Sequence, residues 1–145
     1  SPFTMRMQEV LATARSLLDV PENTLVMFTD SPIVARAAAA ALDAAVVTGA
    51  TKMAAKHRIL SQFQDGAHRA LVLTFSVAAV GLNLTAGNNL LYIDPPPTAA
   101  VAAQSLGRLC RIGQTRHVHV YTWPVEHTFE MAMPRSDRTL AVRLH

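Results

Sequence analysis

Charge and cysteine are what this 145-residue chain has least of. Charged residues make up 16% of it, below the roughly 25% of an average globular domain. Half of the residues are apolar, so the chain can bury a core and does not have the composition of a disordered segment. One cysteine, Cys110, excludes a disulfide framework and a cysteine-based zinc site within the chain, and it fits a reducing compartment. A phosphate loop is missing: none of the six glycines is followed by Lys, and no G-x-G-x-x-G occurs. No two acidic residues are adjacent, so the paired acids that hold magnesium in many ATPases are missing too. Alone, the chain is expected not to hydrolyse ATP.

Long apolar runs are also missing. The longest uncharged stretch, Ala70 to Ile93, is split by Gly81, Asn83, Gly87, Asn88 and Asn89 into two short apolar runs. The opening residues SPFTMRMQEV hold no signal-peptide core. We expect a soluble, non-secreted protein with no membrane partner.

The length fits one domain. Net charge is +3, but it is unevenly spread. Residues 1–50 carry three Arg against five acids, whereas Arg108, Arg111 and Arg116 occur with no acid between Pro95 and Val125. Eleven of the thirteen basic residues are Arg, the side chain suited to bidentate phosphate contact.

Helical and strand-like segments alternate. Apolar residues from Phe3 to Leu18 recur at helical spacing. LVMFT at Leu25 to Thr29 reads as a buried strand, and Ser31-Pro32 supplies an N-cap and first-turn proline for a helix over Ile33 to Leu42. Ala45 to Val47 is a short strand. Thr51 is the expected N-cap of a helix that stops near Asp65-Gly66. Ala70 to Leu73, Leu90 to Ile93 and Val118 to Tyr121 are further strands, with a helix from Thr98 to Cys110. Such alternation implies right-handed crossovers and a mainly parallel sheet covered by helices on both faces. Ligands in these folds bind beyond the carboxyl ends of the strands.

Gln104 to Gln114, QSLGRLCRIGQ, is the most informative segment. On a helix, Arg108 and Arg111 fall at about 40° and about −20° from Gln104, opposite Leu106 and Cys110. One face packs and the other presents two guanidiniums.

QSLGRLCRIGQTR, preceded by VGLNLTAGNNLLYID at Val80 to Asp94, resembles motifs VI and V of the SWI/SNF-type remodelling ATPases, a branch of helicase superfamily two. LVMFTD at Leu25 to Asp30 resembles motif IV, TGATKMAAKHRILSQFQ at Thr48 to Gln64 resembles the segment that follows it, and HTFEMAM at His127 to Met133 resembles the start of a later helix. The resemblance implies the second lobe of a two-lobe motor, an α/β fold that is a RecA-like three-layer sandwich. Residues 24–125 would form the lobe, 1–23 an N-terminal helix and connector, and 126–145 a C-terminal tail. ATP and Mg2+ would bind at a composite site whose phosphate loop and magnesium-binding acids belong to a first RecA-like lobe. Arg111 would be the arginine finger, Arg108 its partner and Gln104 a polar contact in the same cleft. Gly81 and Asn83 would approach the nucleotide, and Thr29, Thr51, Lys52, Thr74 and Ser76 would touch the backbone of double-stranded DNA, free or in nucleosomes. A eukaryotic parent would place the protein in the nucleus, any other in the cytoplasm.

The family pattern is not matched throughout. A basic residue and two glycines usually precede VGLNL, where this chain has Ser76, Val77, Ala78 and Ala79, and Pro97-Thr98-Ala99 stands where Trp-Asn-Pro is common. These changes support a second hypothesis, a catalytically degenerate lobe kept as a DNA- or protein-binding module. Elsewhere, His117 and His119 share a strand face but have no evident third metal ligand, Cys110 reads as a packed thiol, and Trp123 as an edge or hinge packing residue.

Overall fold

The structure, a computed structural model, describes residues 2–122, 129–132 and 141–144. Helix α1 (Pro2–Leu18) leads into strand β1 (Leu25–Thr29), and α2 (Pro32–Leu42), β2 (Ala45–Val47), α3 (Met53–Gln64) and β3 (Ala70–Thr74) follow in strict alternation. A short helix α4 (Phe75–Ala78) comes directly off β3, then β4 (Asn89–Tyr92), α5 (Ala99–Gly107) and β5 (Val118–Tyr121). The first five strands are parallel in the order β2-β3-β1-β4-β5. Strands β6 (Phe129–Ala132) and β7 (Ala141–Leu144) extend the β5 edge antiparallel.

Strands β1 and β3 are buried at every position because both faces of the sheet are covered, which is why they read as continuous apolar runs. Alternate residues divide between two cores. Leu25, Met27, Val72, Leu91 and Ile93 pack with Val10 and Ala14 of α1 and the small residues Ala35, Ala38 and Ala39 of α2. On the other face, Val26, Phe28, Leu71, Leu73 and Tyr92 meet Leu60 and Phe63 of α3, Phe75 and Val77 of α4, and Leu82, Leu84 and Leu109. Phe75 stacks on Phe28 with ring centroids 5.6 Å apart and on Tyr92 at 6.0 Å, so α4 is held down by aromatic packing rather than by its own length.

Local chemistry sets the helix ends. Ser31 caps α2 by accepting from the Val34 amide (3.3 Å), with Pro32 in the first turn, and the helix stops at Asp43 in the left-handed region (φ 52°). Thr98 caps α5 in the same way through the Val101 amide (3.1 Å).

Three expectations need correction. Lys52, not Thr51, occupies the N-cap position of α3, because the Thr51 hydroxyl is engaged by the Thr48 amide (2.9 Å) and closes the preceding turn. Helix α5 ends at Gly107 instead of Cys110: the Arg108 and Leu109 amides bond to carbonyls three residues back, which tightens the chain into turns. Phe129–Ala132 is a strand and not a helix start, since it pairs with the otherwise open edge of β5. His127, Thr128, Met133 and Trp123 lie outside the described residues.

Candidate functional site

Helix α5 returns from the carboxyl end of β4 along the face that also carries α3 and α4, and the chain leaves it in turns bearing Arg108 and Arg111. Arg108 Nε donates to the Ala78 carbonyl (2.9 Å), and Arg111 Nη1 donates to the Leu82 carbonyl (2.8 Å). Arg108 is therefore drawn to the end of α4, and Arg111 to the segment between α4 and β4, which holds Gly81 and Asn83. Arg111 is exposed and Arg108 half-buried, and their remaining N–H groups have no partner among the described residues. Gln104 is exposed on α5.

Gly81 is exposed, and a Cβ placed on it would meet nothing within 4 Å. Nothing among the described residues requires glycine there, while its absent side chain leaves the backbone open to an approaching group. Asn83 is exposed, and its Oδ1 accepts from the Thr85 amide (3.3 Å), a local turn that leaves the amide nitrogen available. Between this segment and α3 lies a cavity of about 420 Å³, lined by Lys56, His57, Gln64, Gly81, Leu82 and Asn83 among others.

The strand-end residues divide. Thr29 is fully buried and donates its hydroxyl to Asp94 Oδ2, which also accepts the Asp30 amide (2.9 Å). Asp94 is completed by an ion pair with Arg6 (2.9 Å). Thr74 is buried and hydrogen-bonded to the Ser76 hydroxyl (2.9 Å). Neither threonine presents surface for a DNA backbone. Ser76 and Lys52 are exposed and Thr51 is half-buried. The turn after β2 comes close to Ser76 on α4, whose Oγ lies 3.2 Å from where a Gly49 Cβ would stand, so Thr51 and Lys52 follow a turn that neighbours Ser76.

Sequence reasoning missed Asp94 as the organiser of Thr29 and Arg6, and missed Lys56 beside the cavity. The i, i+4 spacing of Lys52 and Lys56 was the available signal for the second. Arg116, grouped in the sequence with Arg108 and Arg111, turns inward instead: it donates to the carbonyls of Glu22 (2.8 Å) and Ala86 (2.6 Å) and to the Thr24 hydroxyl (3.2 Å).

Two buried groups nearby, Cys110 and Tyr92, have shifted titrations. Burial pushes the Cys110 thiol up to about 11, and burial also raises Tyr92, against the opposing effect of its bond to Ser105 (2.6 Å). Cys110 therefore stays a thiol near neutrality. Among the described residues no group of three or more His, Cys, Asp or Glu is placed to hold a metal, and no helix is long and apolar enough to cross a membrane.

A parallel sheet covered on both faces, with paired arginines beyond its last crossover helix, is the arrangement expected of the RecA-like lobe that the motifs imply. Solved structures agree: the C-terminal part of the Fun30 ATPase domain matches with a TM-score of 0.71 at 19% identity, over 81% of this chain and 39% of that one. A Saccharomyces cerevisiae Dbp5 variant bound to RNA and ADP BeF3 matches with a TM-score of 0.66 at 17% identity, over 83% of this chain and 32% of that one. The helicase conserved C-terminal domain model matches residues 14–113, and the chain belongs to that family. Helicase SWR1 of Mycosarcoma maydis is 40% identical over 88 residues, which are 60% of this chain and 5% of that protein. DNA repair protein rad5 of Neurospora crassa is 35% identical over 88 residues, 60% of this chain and 7% of that protein. The chain thus spans a small fraction of the curated relatives it matches. It is a C-terminal helicase lobe resembling those of SNF2-type remodellers, as the motifs imply.

Proposed function

We propose that this lobe forms one half of a composite ATP–Mg2+ site with a first RecA-like lobe, in a motor that moves along double-stranded DNA, free or in nucleosomes. Arg111 is the finger that stabilises charge on the transferred phosphoryl group, Arg108 supports it, and Gln104 adds a polar contact. Gly81 and Asn83 form the neighbouring nucleotide-facing segment, and Thr51, Lys52 and Ser76 contact DNA phosphates. A eukaryotic parent puts the motor in the nucleus.

One observation carries this reading: Arg108 and Arg111 each spend a single N–H group, on the carbonyls of Ala78 at the end of α4 and of Leu82 beside Gly81, and keep the rest unpartnered among the described residues. A guanidinium held at one corner with its other donors available is suited to an anion supplied from outside the chain. The fit is to the phosphates; the carboxylates that hold magnesium would belong to the first lobe. Bound there, the nucleotide supplies the phosphoryl group to be transferred, while these residues orient it and offset its charge.

The test is Arg111→Ala in a protein that pairs this lobe with a first lobe. DNA-stimulated ATPase should fall by roughly 10³- to 10⁵-fold while DNA binding is nearly unchanged. Retained turnover sinks the finger assignment. The second reading, a binding module without turnover, is favoured by the Ser76 to Ala79 departure, and it stands if the unsubstituted two-lobe protein binds DNA yet hydrolyses no ATP.

A further inference from the structure

The turns bearing Arg108 and Arg111 lie beyond the end of α5, and backbone bonds from the Arg108, Leu109 and Cys110 amides close them only onto Ser105 and Leu106. What ties them to the segment before β4 is the side chain of Gln114, only 8% exposed. Its Nε2 donates to the Leu109 carbonyl (2.9 Å), inside the turns, and to the Gly87 carbonyl (3.0 Å), on the segment leading into β4. Its Oε1 accepts the Arg116 amide (3.0 Å). The primary amide thus uses both of its protons and its oxygen. Two parallel bonds complete the seam, Leu84 N–H to the Arg108 carbonyl (2.9 Å) and Arg116 Nη2 to the Ala86 carbonyl. Two glycines permit it. Gly113, at φ +103°, reverses the chain so that Gln114 points inward, and a Cβ on Gly87 would lie 2.9 Å from Val26 Cγ2 and 3.1 Å from Leu109 Cδ2.

We propose that Gln114 is a positioning residue for the arginines: by tying Leu109 to Gly87 it sets where the Arg108 and Arg111 guanidiniums stand relative to the Gly81 segment. This rests on the finger reading above. The requirement is for two donors and one acceptor at this length. Glutamate has the shape but turns a carboxylate toward two carbonyl oxygens, and methionine has the length but no hydrogen bonds.

The experiment compares Gln114→Met, Gln114→Glu and Arg111→Ala with the unsubstituted two-lobe protein. Both Gln114 variants should lower kcat by about tenfold or more, since a displacement near 1 Å can cost that much or more, with KM for ATP and DNA affinity little changed. Gln114→Glu alone should regain part of its kcat, relative to the parent, between about pH 8 and about pH 6, because burial facing two carbonyls raises the carboxyl's pKa against the opposing charge of the nearby Arg116 guanidinium, and the protonated form restores one of the two donors. Amides 108–113 should exchange hydrogen faster in both variants, and those of β1 should not. Melting temperature checks the fold, and Gln114→Glu measured at about pH 6 serves where Gln114→Met is unstable. Retained turnover in Arg111→Ala overturns the finger reading and this one with it. A dead Arg111→Ala beside a parental kcat in a folded Gln114 variant, or no acid recovery in Gln114→Glu, overturns the positioning role alone.

Discussion

Among the described residues, Arg69 and Arg116 each reach three acceptors, whereas Arg108 and Arg111 each reach one. The Arg69 guanidinium donates to the carbonyls of Leu18 (2.9 Å), Val20 (2.7 Å) and Asn23 (3.0 Å), gathering the end of α1 and the loop after it. Arg116 holds the same loop from the other side through Glu22 and Thr24, and links it to Ala86. Asn88 adds to that seam, since its Oδ1 accepts the Thr24 amide (2.8 Å). These bonds close the amino end of the sheet. Arg108 and Arg111, by contrast, keep donors in reserve beside an open glycine. The difference separates arginines that finish the fold from arginines that await a ligand, although all four are the same residue type on the basic side of the chain.

The separation breaks if the two pairs respond alike to truncation. Loss of Arg111 should leave stability nearly unchanged, because its side chain is exposed and gives up a single hydrogen bond, so its large effect is confined to turnover. Arg116→Ala should do the opposite. Three charge-assisted hydrogen bonds disappear, to Glu22, Thr24 and Ala86, and although the Ala86 carbonyl keeps the Thr24 hydroxyl (2.7 Å), we expect the loss to cost about 2–3 kcal/mol of unfolding free energy. Urea denaturation measures it. An Arg116→Ala protein as stable as the parent would mean that the inward seam contributes no more than the outward arginines.

The glycines offer the same contrast on a smaller scale. Gly87→Ala pushes a methyl into Val26, Leu109 and the Leu84 carbonyl, at 2.9, 3.1 and 3.2 Å. Overpacking of this kind costs about 1–3 kcal/mol. Gly81→Ala meets nothing within the chain and should be neutral or slightly stabilising in denaturation, while it lowers turnover if the backbone there approaches nucleotide. Equal destabilisation by both substitutions would remove the distinction between a packed and an open glycine.

Much of this was legible in the residues. Strand and helix alternation could be read because parallel strands buried on both faces become apolar runs, and Ser31-Pro32 carries its capping chemistry openly. The arginine spacing and the VGLNL segment pointed to the right family. What stayed hidden depends on partners distant in sequence. Helix α4 is four residues held by Phe28 and Tyr92, too short for any periodicity. The early end of α5 follows from tertiary bonds to Leu84 and Gly87. Strand β6 forms because β5 has an edge to fill. Thr29 and Thr74 looked like surface hydroxyls, since threonine at a strand end serves equally well as a contact or as a buried clasp, and only Asp94 and Ser76 decide which.

The smallest expected effect concerns the loops at the carboxyl end. Lys52 is exposed at the start of α3, near the turn that approaches Ser76, and no hydrogen bond to a described residue ties its ammonium down. If it meets a DNA phosphate, it acts by displacing a counterion, so its contribution should shrink as salt rises. Lys52→Ala should therefore weaken duplex binding a few-fold at low salt, equally for all sequences, and reduce the slope of log affinity against log salt by about 0.9. Thr29→Val should leave that slope untouched and act on stability instead, because its hydroxyl is spent on Asp94 inside the lobe. A salt slope that moves with Thr29 and not with Lys52 would reverse the assignment of inward and outward groups at this end of the sheet.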